Sequence, residues 1–420
     1  MRRIVARERG NMRRITITSM LLPVVLLAAC GSSTSSSESS AVASAEATAA
    51  SAAASGAPGG EELIVGFAGA FTGDCAVGDV PALDGLKYAV DQYNAQGGVA
   101  GHKVTLISKD TKSDSATGGT VALELIDQGA DVLVGPCFPG MSAGVIQAGG
   151  KAGVPVISAV STQPEYVVVG GSPAYLAAFG DNVQASAAAE YALKNGAKTV
   201  FTVSSPDLSY TQNTPKFFVD AFKNGGGTSL GDVSFSLGQT DFSAQVTQIA
   251  NLPEQPDVIY TAMFPPDTSN FVRALRAAGV TTRLIGADGW DTTALLDAGA
   301  DALEGSWFTT HGSSTPGTAF ADFIDGITKA NGKSPDGPAL AALGYSTMQI
   351  IAAAVEKAGA TDPAAIAAAL PELTDVTTVT GNITYAGTDG VPKKDVTIGV
   401  IEGGKFTYPE TFTPAYIAQP

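Results

Sequence analysis

Short apolar runs alternate with segments of helical spacing along most of this chain, and that alternation limits its fold more than any other feature. Leu63–Ala68 is an apolar run stopped by glycines, and Ala82–Gln96 carries apolar residues at helical spacing until Gly97-Gly98. The same order repeats over residues 103–158. Strands and helices that alternate across short turns form parallel βαβ units. This part of the chain is therefore predicted to be an α/β lobe.

The alternation restarts at Thr199 and runs through Arg283–Gly286. Because a chain of 420 residues exceeds what one hydrophobic core usually serves, two lobes are predicted. Residues 309–420 hold three helical stretches and then only β-like runs, too few for a third α/β lobe, so we expect them to complete the first two. Within them Ala339–Val355 is the most apolar stretch. Polar residues such as Gln349 interrupt it, so it is predicted to be a buried helix.

The first 30 residues have the organisation of an export signal. Arg13-Arg14 precede the apolar run Ile15–Leu27, which is too short for a transmembrane helix, and Ala28-Ala29 follow it. The stretch that ends in Cys30 resembles the lipobox of bacterial lipoproteins. That resemblance implies that Cys30 is acylated and anchors an extracytoplasmic protein to the cell membrane. The alternative is an ordinary signal peptide with a chance cysteine.

Residues 31–61 consist almost entirely of Ser, Ala, Thr, Gly and Glu. Such a segment buries too little apolar surface to offset the entropy lost on ordering, so a disordered tether is predicted. Coil scaling for linkers of this kind gives it a root-mean-square span of about 30 Å. Stable anchoring needs more than one acyl chain, which a diacylated cysteine would supply.

The charge of the chain excludes some partners. Without residues 1–30 it carries 18 Lys and Arg against 39 Asp and Glu, a formal charge of −21. So negative a protein is not expected to bind nucleic acid or an anionic membrane surface.

Two cysteines, Cys75 and Cys137, remain after Cys30. An even number in an exported protein favours one disulfide, and closing that loop would stabilise the fold by about 4 kcal/mol in the chain-entropy model. Two free thiols are the alternative.

One catalytic pattern stands out. Gly140–Gly144 matches the nucleophile elbow around Ser142, and Asp288 and His311 follow in the order of a hydrolase triad. However, Pro136–Pro139 separate the serine from its strand, and a chain with 49 glycines produces the pattern by chance. We expect no enzyme, with an exported serine hydrolase as a remote alternative.

Metal and cofactor signals are weak. The chain has two histidines, so no Cys/His cluster arises at ligand spacing. The glycines of residues 66–73 lack the spacing of a dinucleotide-binding loop. No metal and no cofactor is predicted.

Several short motifs follow one another in a characteristic order. They are Phe71-Thr72-Gly73, Gly85–Ala89 with Tyr93–Gly98, Gly153–Ser158 with Ser161-Thr162, Asp241-Phe242-Ser243, and Ile285–Asp291. Each is weakly specific alone, but together their order and spacing are specific. In these features residues 62–405 resemble the type I periplasmic binding proteins, in particular the branch that binds leucine, isoleucine and valine for ABC transporters.

The resemblance implies an α/β fold of two Rossmann-like lobes with parallel sheets, joined by three crossovers and closing on a ligand like a hinged clamp. Residues 62–180 with 310–387 would form the first lobe, and residues 181–309 with 388–420 the second. The implied function is an extracytoplasmic, monomeric receptor that delivers an amino acid to the permease subunits of an ABC importer.

The resemblance also implies which residues meet the ligand. Thr162, beside Ser161, falls where the family binds the amino-acid carboxylate, and the Val160 carbonyl falls where it meets the ammonium. Asp288 falls at the acidic residue that pairs with the ammonium. Asp181 falls at the first crossover, where an acidic residue is also expected.

Three aromatic residues are assigned to the cleft. Tyr210 and Phe264 fall at positions that line it in the family, and Trp290 would be a further pocket wall. For each of the three, core packing is the alternative.

The loop after the third strand departs from the family. Where the family has a serine that holds the carboxylate, this chain has Pro139, which has no N–H. The amides of Gly140, Met141 and Ser142 are predicted to replace it. Otherwise the ligand is a different small polar solute, such as an amide, urea or an aromatic acid. A Cys75–Cys137 disulfide would stiffen this rim of the cleft.

Overall fold

A computed structural model of the protein describes residues 61–420. The predicted signal peptide, the lipidation site Cys30 and nearly all of the predicted tether lie outside the described residues, so those predictions stay predictions.

The first sheet has five strands in the order β2-β1-β3-β4-β5, all parallel. Its strands are β1 (Leu63–Gly69), β2 (Val104–Asp110), β3 (Val132–Gly135), β4 (Val156–Ser158) and β5 (Ala174–Leu176). Its helices are α1 (Ala76–Ala95), α2 (Ser115–Asp127) and α3 (Pro139–Ala152). β1, β3 and β4 are almost wholly buried, as expected for strands covered by helices on both faces.

The second sheet has seven strands in the order β15-β14-β10-β9-β8-β6-β7. The strands are β6 (Thr199–Ser204), β7 (Thr228–Ser234), β8 (Val258–Thr261), β9 (Arg283–Gly286), β10 (Trp307–Thr310), β14 (Val396–Glu402) and β15 (Lys405–Phe412). The helices are α4 (Asp181–Lys194), α5 (Ser209–Asn224), α6 (Ser243–Ala250), α7 (Asp267–Ala277) and α8 (Thr293–Gly299). Neighbours from β7 to β10 are parallel, whereas β14 and β15 are antiparallel additions at one edge.

The C-terminal part completes both halves, as predicted. Three helices come first: α9 (Ala319–Asn331), α10 (Pro338–Ala358) and α11 (Pro363–Ala369). A small antiparallel sheet follows, with β11 (Val376–Thr378), β12 (Gly381–Thr384) and β13 (Lys393–Lys394). Single turns of 3₁₀ helix cover Pro164–Val167, Asp288–Trp290, Ala300–Leu303 and Leu370–Glu372. The chain passes three times between the halves, after β5, after β10 and after β13.

α10 is a core helix of the first half. It is long and apolar enough to cross a membrane, but most of its surface is buried inside the protein. It packs so closely on α1 that a Cβ added at Gly344 would come within 1.9 Å of the Ala82 carbonyl oxygen. A side chain at Gly344 would therefore push the two helices apart.

Two lobes with parallel sheets confirm the predicted fold class. The strand and helix order of residues 63–158 and 199–286 agrees with the prediction, with helix ends shifted by a few residues. Seven helices and strands were missed: α4, α8, β5, β10, β11, β13 and β15. α4 has no apolar stripe to recognise, because it is buried on most sides and five of its 14 residues are Ala. The predicted β-like run Val379–Tyr385 contains β12, and its first two residues, Val379 and Thr380, form the turn from β11.

Candidate functional site

Most of the predicted site residues follow the carboxyl ends of parallel strands, where α/β proteins bind ligands. Thr162 follows β4 and the loop at Gly140 follows β3. In the second lobe Tyr210, Phe264 and Asp288 follow β6, β8 and β9. The fold thus gathers residues distant in sequence at one edge of each sheet.

Three donors converge on the carboxylate of Asp288. The Tyr210 hydroxyl donates to Oδ1 at 2.8 Å, and the Gln184 side-chain amide donates to the same oxygen at 2.8 Å. His311 Nε2 lies 3.2 Å from Oδ2. The Asp288 side chain is 13% exposed, so it is nearly buried yet not sealed from solvent.

Gln184, on α4, connects both predicted acidic residues. Its Nε2 donates to Asp181 Oδ1 at 2.9 Å as well as to Asp288. Its Oε1 accepts from the Asp288 amide at 3.1 Å and from the Thr309 hydroxyl at 2.6 Å. Sequence reasoning missed Gln184 and Thr309, because neither α4 nor β10 was predicted.

The pKa values of the Asp181 and Asp288 carboxyls are shifted in opposite directions. Burial raises the pKa of Asp181 well above its ordinary value, and the charge of Asp288 raises it further. Burial also opposes ionisation of Asp288, but the hydrogen bond and the charge of His311, together with hydrogen bonds from Gln184 and Tyr210, outweigh it and lower the pKa of Asp288. The opposite shifts favour a single negative charge on the pair, located on Asp288.

The aromatic wall forms around the same carboxylate. The hydroxyl of Tyr210 accepts from the Gly289 amide at 3.1 Å, and burial raises its pKa, so it stays a donor to Asp288. Phe264 packs beside Tyr210 with Ala262 and Ala287. The structure thus brings together Tyr210, Phe264 and Asp288, as the resemblance implies, although their contact with a ligand stays a prediction.

Trp290 is not part of this wall. Its side chain is fully buried in the core of the second lobe, where the indole N–H donates to the Met263 carbonyl at 2.8 Å. The expectation of a pocket wall was therefore wrong for Trp290, and core packing is the correct alternative.

On the first-lobe side, residues 160–162 form a buried loop after β4. The Thr162 carbonyl accepts from the Asp181 amide at 2.6 Å, which ties this loop to the first crossover. The Ser161 amide donates to Ser158 Oγ, and the Ser161 hydroxyl donates to Gln163 Oε1. Ser161 is thus used by the loop itself, whereas the ligand roles of Val160 and Thr162 stay predictions.

The amides expected to replace the missing serine are largely occupied. Those of Met141 and Ser142 both donate to the Phe138 carbonyl at 3.0 Å, because they lie in the first turn of α3. The prediction that these two amides are free for a carboxylate was therefore wrong. Gly140 is exposed, with open space where a side chain would be.

Ser142 does not form a catalytic triad. Its side chain is fully buried and lies 3.0 and 2.8 Å from the carbonyl oxygens of Pro136 and Phe138. His311 does contact Asp288, but its Nδ1 has no hydrogen-bond partner. Because the serine hydroxyl serves its own loop, the Asp–His pair lacks a nucleophile there.

A disulfide joins Cys75 to Cys137, with Cα atoms 5.6 Å apart. Beside it the buried carboxyl of Asp79 accepts from the Ala70 amide at 2.8 Å and from the Cys137 amide. Burial raises the pKa of Asp79 to about 8. The bridge and Asp79 thus tie the loops after β1 and β3 together.

Metal ligands are not clustered in the described part of the chain. Within residues 61–420 no three His, Cys, Asp or Glu side chains come together as candidate ligands.

A family model described as a periplasmic binding protein matches residues 62–405. The chain therefore belongs to the periplasmic binding protein family, and its likenesses place it among the type I members of the Leu/Ile/Val-binding type. This is a family of solute-binding proteins.

Three similar proteins illustrate the range. A Leu/Ile/Val-binding protein of Rhizobium johnstonii is 27% identical over 350 residues, covering 83% of this chain and 94% of the relative. A branched-chain amino acid transporter substrate-binding protein of Streptococcus pneumoniae, solved in complex with isoleucine, is 25% identical, with a TM-score of 0.71 and coverage of 84% and 99%. A solute-binding protein of R. palustris in complex with benzoate has a TM-score of 0.71 and coverage of 86% and 98%. Being 20% identical, it shares the fold alone.

Proposed function

We propose that this protein is the extracytoplasmic receptor of an ABC importer and binds an α-amino acid, of branched-chain or similar type, between its two lobes. Family membership supports a solute receptor, and the relatives named for leucine, isoleucine and valine support an amino acid. The absence of a complete triad around Ser142 is consistent with this role.

The observation that carries the proposal is the carboxylate of Asp288. It is ionised, nearly buried and fixed in place by Tyr210, Gln184 and His311. A preorganised carboxylate in a low-dielectric site binds an ammonium by charge-assisted hydrogen bonds, which are the stronger kind. Burial favours the neutral form of its partner Asp181, so the site offers the charge of Asp288 to one ammonium.

The lobe boundaries and the closure belong to the same proposal. We place residues 62–180 and 310–387 in the first lobe and residues 181–309 and 388–420 in the second. Rotation about the three crossovers would bring Val160 and Thr162 against a ligand held by Asp288. The hydrogen bond from the Asp181 amide to the Thr162 carbonyl spans the first of these crossovers.

The N-terminal part of the chain concerns the attachment of the receptor to the membrane. We propose that Cys30 is the acylated residue and that residues 31–61 are the tether between membrane and receptor. A span of about 30 Å would keep the lobes within reach of permease subunits in the same membrane. The receptor would act as a monomer.

One observation favours a second candidate, an aromatic or other carboxylic acid. Pro139 stands where the family places its carboxylate-binding serine, and the neighbouring amides of Met141 and Ser142 are occupied within α3. A ligand held differently from an α-amino acid is compatible with that loop. The benzoate complex has the same fold.

Calorimetric titration of the soluble chain with the standard L-amino acids, simple amides, urea and benzoate tests the proposal. We expect binding of one or more aliphatic amino acids, and Asp288→Asn should weaken it about 100-fold, because the ammonium loses its only charged partner. Asp291→Asn is the matched control, since Asp291 lies in the same loop but bonds to Thr310. Binding of acids or amides with no response to any amino acid would overturn the proposal.

A further inference from the structure

His311 is a titratable member of the Asp288 network to which the resemblance assigns no role. It follows β10 at the second crossover, and its side chain is almost completely buried. The imidazole stacks on the ring of Phe179 at 3.8 Å, with the two planes 20° apart. This packing holds the imidazole still, with Nε2 directed at Asp288 Oδ2.

The contact with Asp288 determines which nitrogen carries the proton. An ionised carboxylate only accepts hydrogen bonds, so Nε2 must be the donor. Nδ1 then bears a lone pair, and it has no partner although it is buried. A second proton on Nδ1 would be buried without an acceptor, which disfavours the imidazolium form.

The charged groups around His311 act in both directions. Burial lowers the pKa of His311, the carboxylate of Asp288 opposes that effect, and Lys394 lowers the pKa further. Lys394 is buried on β13, where its amino group donates to the Ala177 carbonyl and the Thr380 hydroxyl, and burial lowers its pKa to about 7. Burial raises the pKa of Asp181, which is joined to Asp288 through Gln184, well above its ordinary value. The lowered pKa of His311 favours the uncharged imidazole at neutral pH.

We infer that His311 is a specificity-determining residue. As a neutral donor it leaves the site one negative charge for a ligand ammonium, and as an imidazolium it cancels that charge. The inference rests on the proposed function, because it concerns the same carboxylate. A neutral His311 selects ligands that carry an ammonium. A protonated His311 forms a closed ion pair with Asp288, and the site then no longer favours ammonium-bearing ligands over their deaminated analogues.

The imidazole can be followed directly, because the chain has two histidines. In an NMR titration of the soluble chain, His311→Gln assigns the His311 signal. We expect the pKa of His311 to lie below the ordinary histidine value of 6.5. Asp288→Asn should lower it further, since the carboxylate favours the imidazolium. A pKa of His311 above that ordinary value would overturn the inference.

Ligand binding gives the second readout, with L-leucine and its deaminated analogue 4-methylpentanoate as probes at pH 5 to 8. For the wild type, the preference for L-leucine should fall by up to about tenfold for each pH unit below the pKa of His311. His311→Gln keeps a donor for Asp288 but cannot titrate, so its preference should stay constant. His102→Gln is the control and should follow the wild type.

Failure of the inference and failure of the proposed function are distinguishable. If the wild type prefers L-leucine and His311→Gln shows the same pH dependence, the role of His311 is refuted while the proposed function stands. If L-leucine does not bind at any pH, the branched-chain proposal fails, and the NMR titration still decides the charge of His311.

Discussion

The two sheet edges that face the predicted cleft are built in different ways. The first-lobe edge is crosslinked and satisfied within itself: a disulfide and Asp79 join its loops, and its helix amides donate to Phe138. The second-lobe edge is a charged network around Asp288, with Gln184, Tyr210 and His311 as donors. One edge is fixed covalently, and the other is fixed by hydrogen bonds to a charge.

This difference indicates a division of labour. Because the amides of Met141 and Ser142 are already used, that edge contributes mainly a rigid shape. Because the second-lobe donors hold an ionised carboxylate, that edge contributes the charge that recognises a ligand. Changes to the first edge should therefore alter stability and leave selectivity unchanged, whereas changes to the second edge should also alter ligand binding.

The largest expected effect comes from removing the disulfide of the first edge. The double substitution Cys75→Ser/Cys137→Ser should lower the free energy of unfolding by about 4 kcal/mol, because the unfolded chain regains loop entropy. Urea denaturation of both proteins measures it. Ligand selectivity should be unchanged. A variant that is as stable as the wild type, or whose selectivity changes, would contradict a purely supporting role.

The second prediction concerns the pH dependence that Asp79 gives the first edge. Its pKa is raised to about 8 in the folded protein, so between pH 5 and 7 the folded state binds more protons than the unfolded state. Stability from this group is therefore present at low pH and lost as the pH rises, by about 3 kcal/mol over that interval.

Asp79→Asn should flatten this part of the stability profile. Denaturation of wild type and variant at pH 5, 6 and 7 measures the difference between their slopes. Asp232→Asn, at an exposed position on β7, is the control. Parallel profiles for the wild type and Asp79→Asn would show that Asp79 does not set the slope.

The third prediction concerns Gln184, at the centre of the second edge. Gln184→Leu removes two donated and two accepted hydrogen bonds, leaving Thr309 and the Asp288 amide unpaired. We expect a loss of about 2 kcal/mol in the free energy of unfolding and a comparable loss in ligand affinity. Gln248→Leu, on the exposed side of α6, should change neither. Unchanged ligand affinity in Gln184→Leu would show that Gln184 does not take part in ligand recognition.

The smallest expected effect concerns the boundary between site and core. Trp290→Phe removes the indole hydrogen bond to the Met263 carbonyl and should cost about 1.5 kcal/mol of stability. Ligand affinity should stay within twofold, because the side chain is buried away from the site. A large loss of ligand affinity at unchanged stability would show that Trp290 belongs to the pocket wall.

The sequence predicted the fold well because its signals were local. Gly97-Gly98 ends a helix after a regular apolar stripe, and buried strands such as β3 are continuous apolar runs. The signal of α4 was not local, since most of its faces are buried and five of its 14 residues are Ala, which leaves no apolar stripe. Missing α4 also hid Gln184, the residue that joins the two carboxyls.

The site was predicted only in part, for a related reason. Asp288 and Tyr210 could be located because the resemblance supplied their positions. His311 was considered only as a hydrolase residue, since its packing on Phe179 and its contact with Asp288 depend on tertiary structure. The use of the Met141 and Ser142 amides depends on where α3 begins, and the sequence did not define that point.

The most direct test of the central claim, that the second-lobe edge supplies one unneutralised carboxylate to a ligand ammonium, is a comparison of two ligands of the same shape. Calorimetric titration of the wild-type protein at pH 7.5 with L-leucine and with 4-methylpentanoate isolates the ammonium. The account predicts that L-leucine binds about 100-fold more tightly. Equal affinities, or tighter binding of the acid, would contradict it.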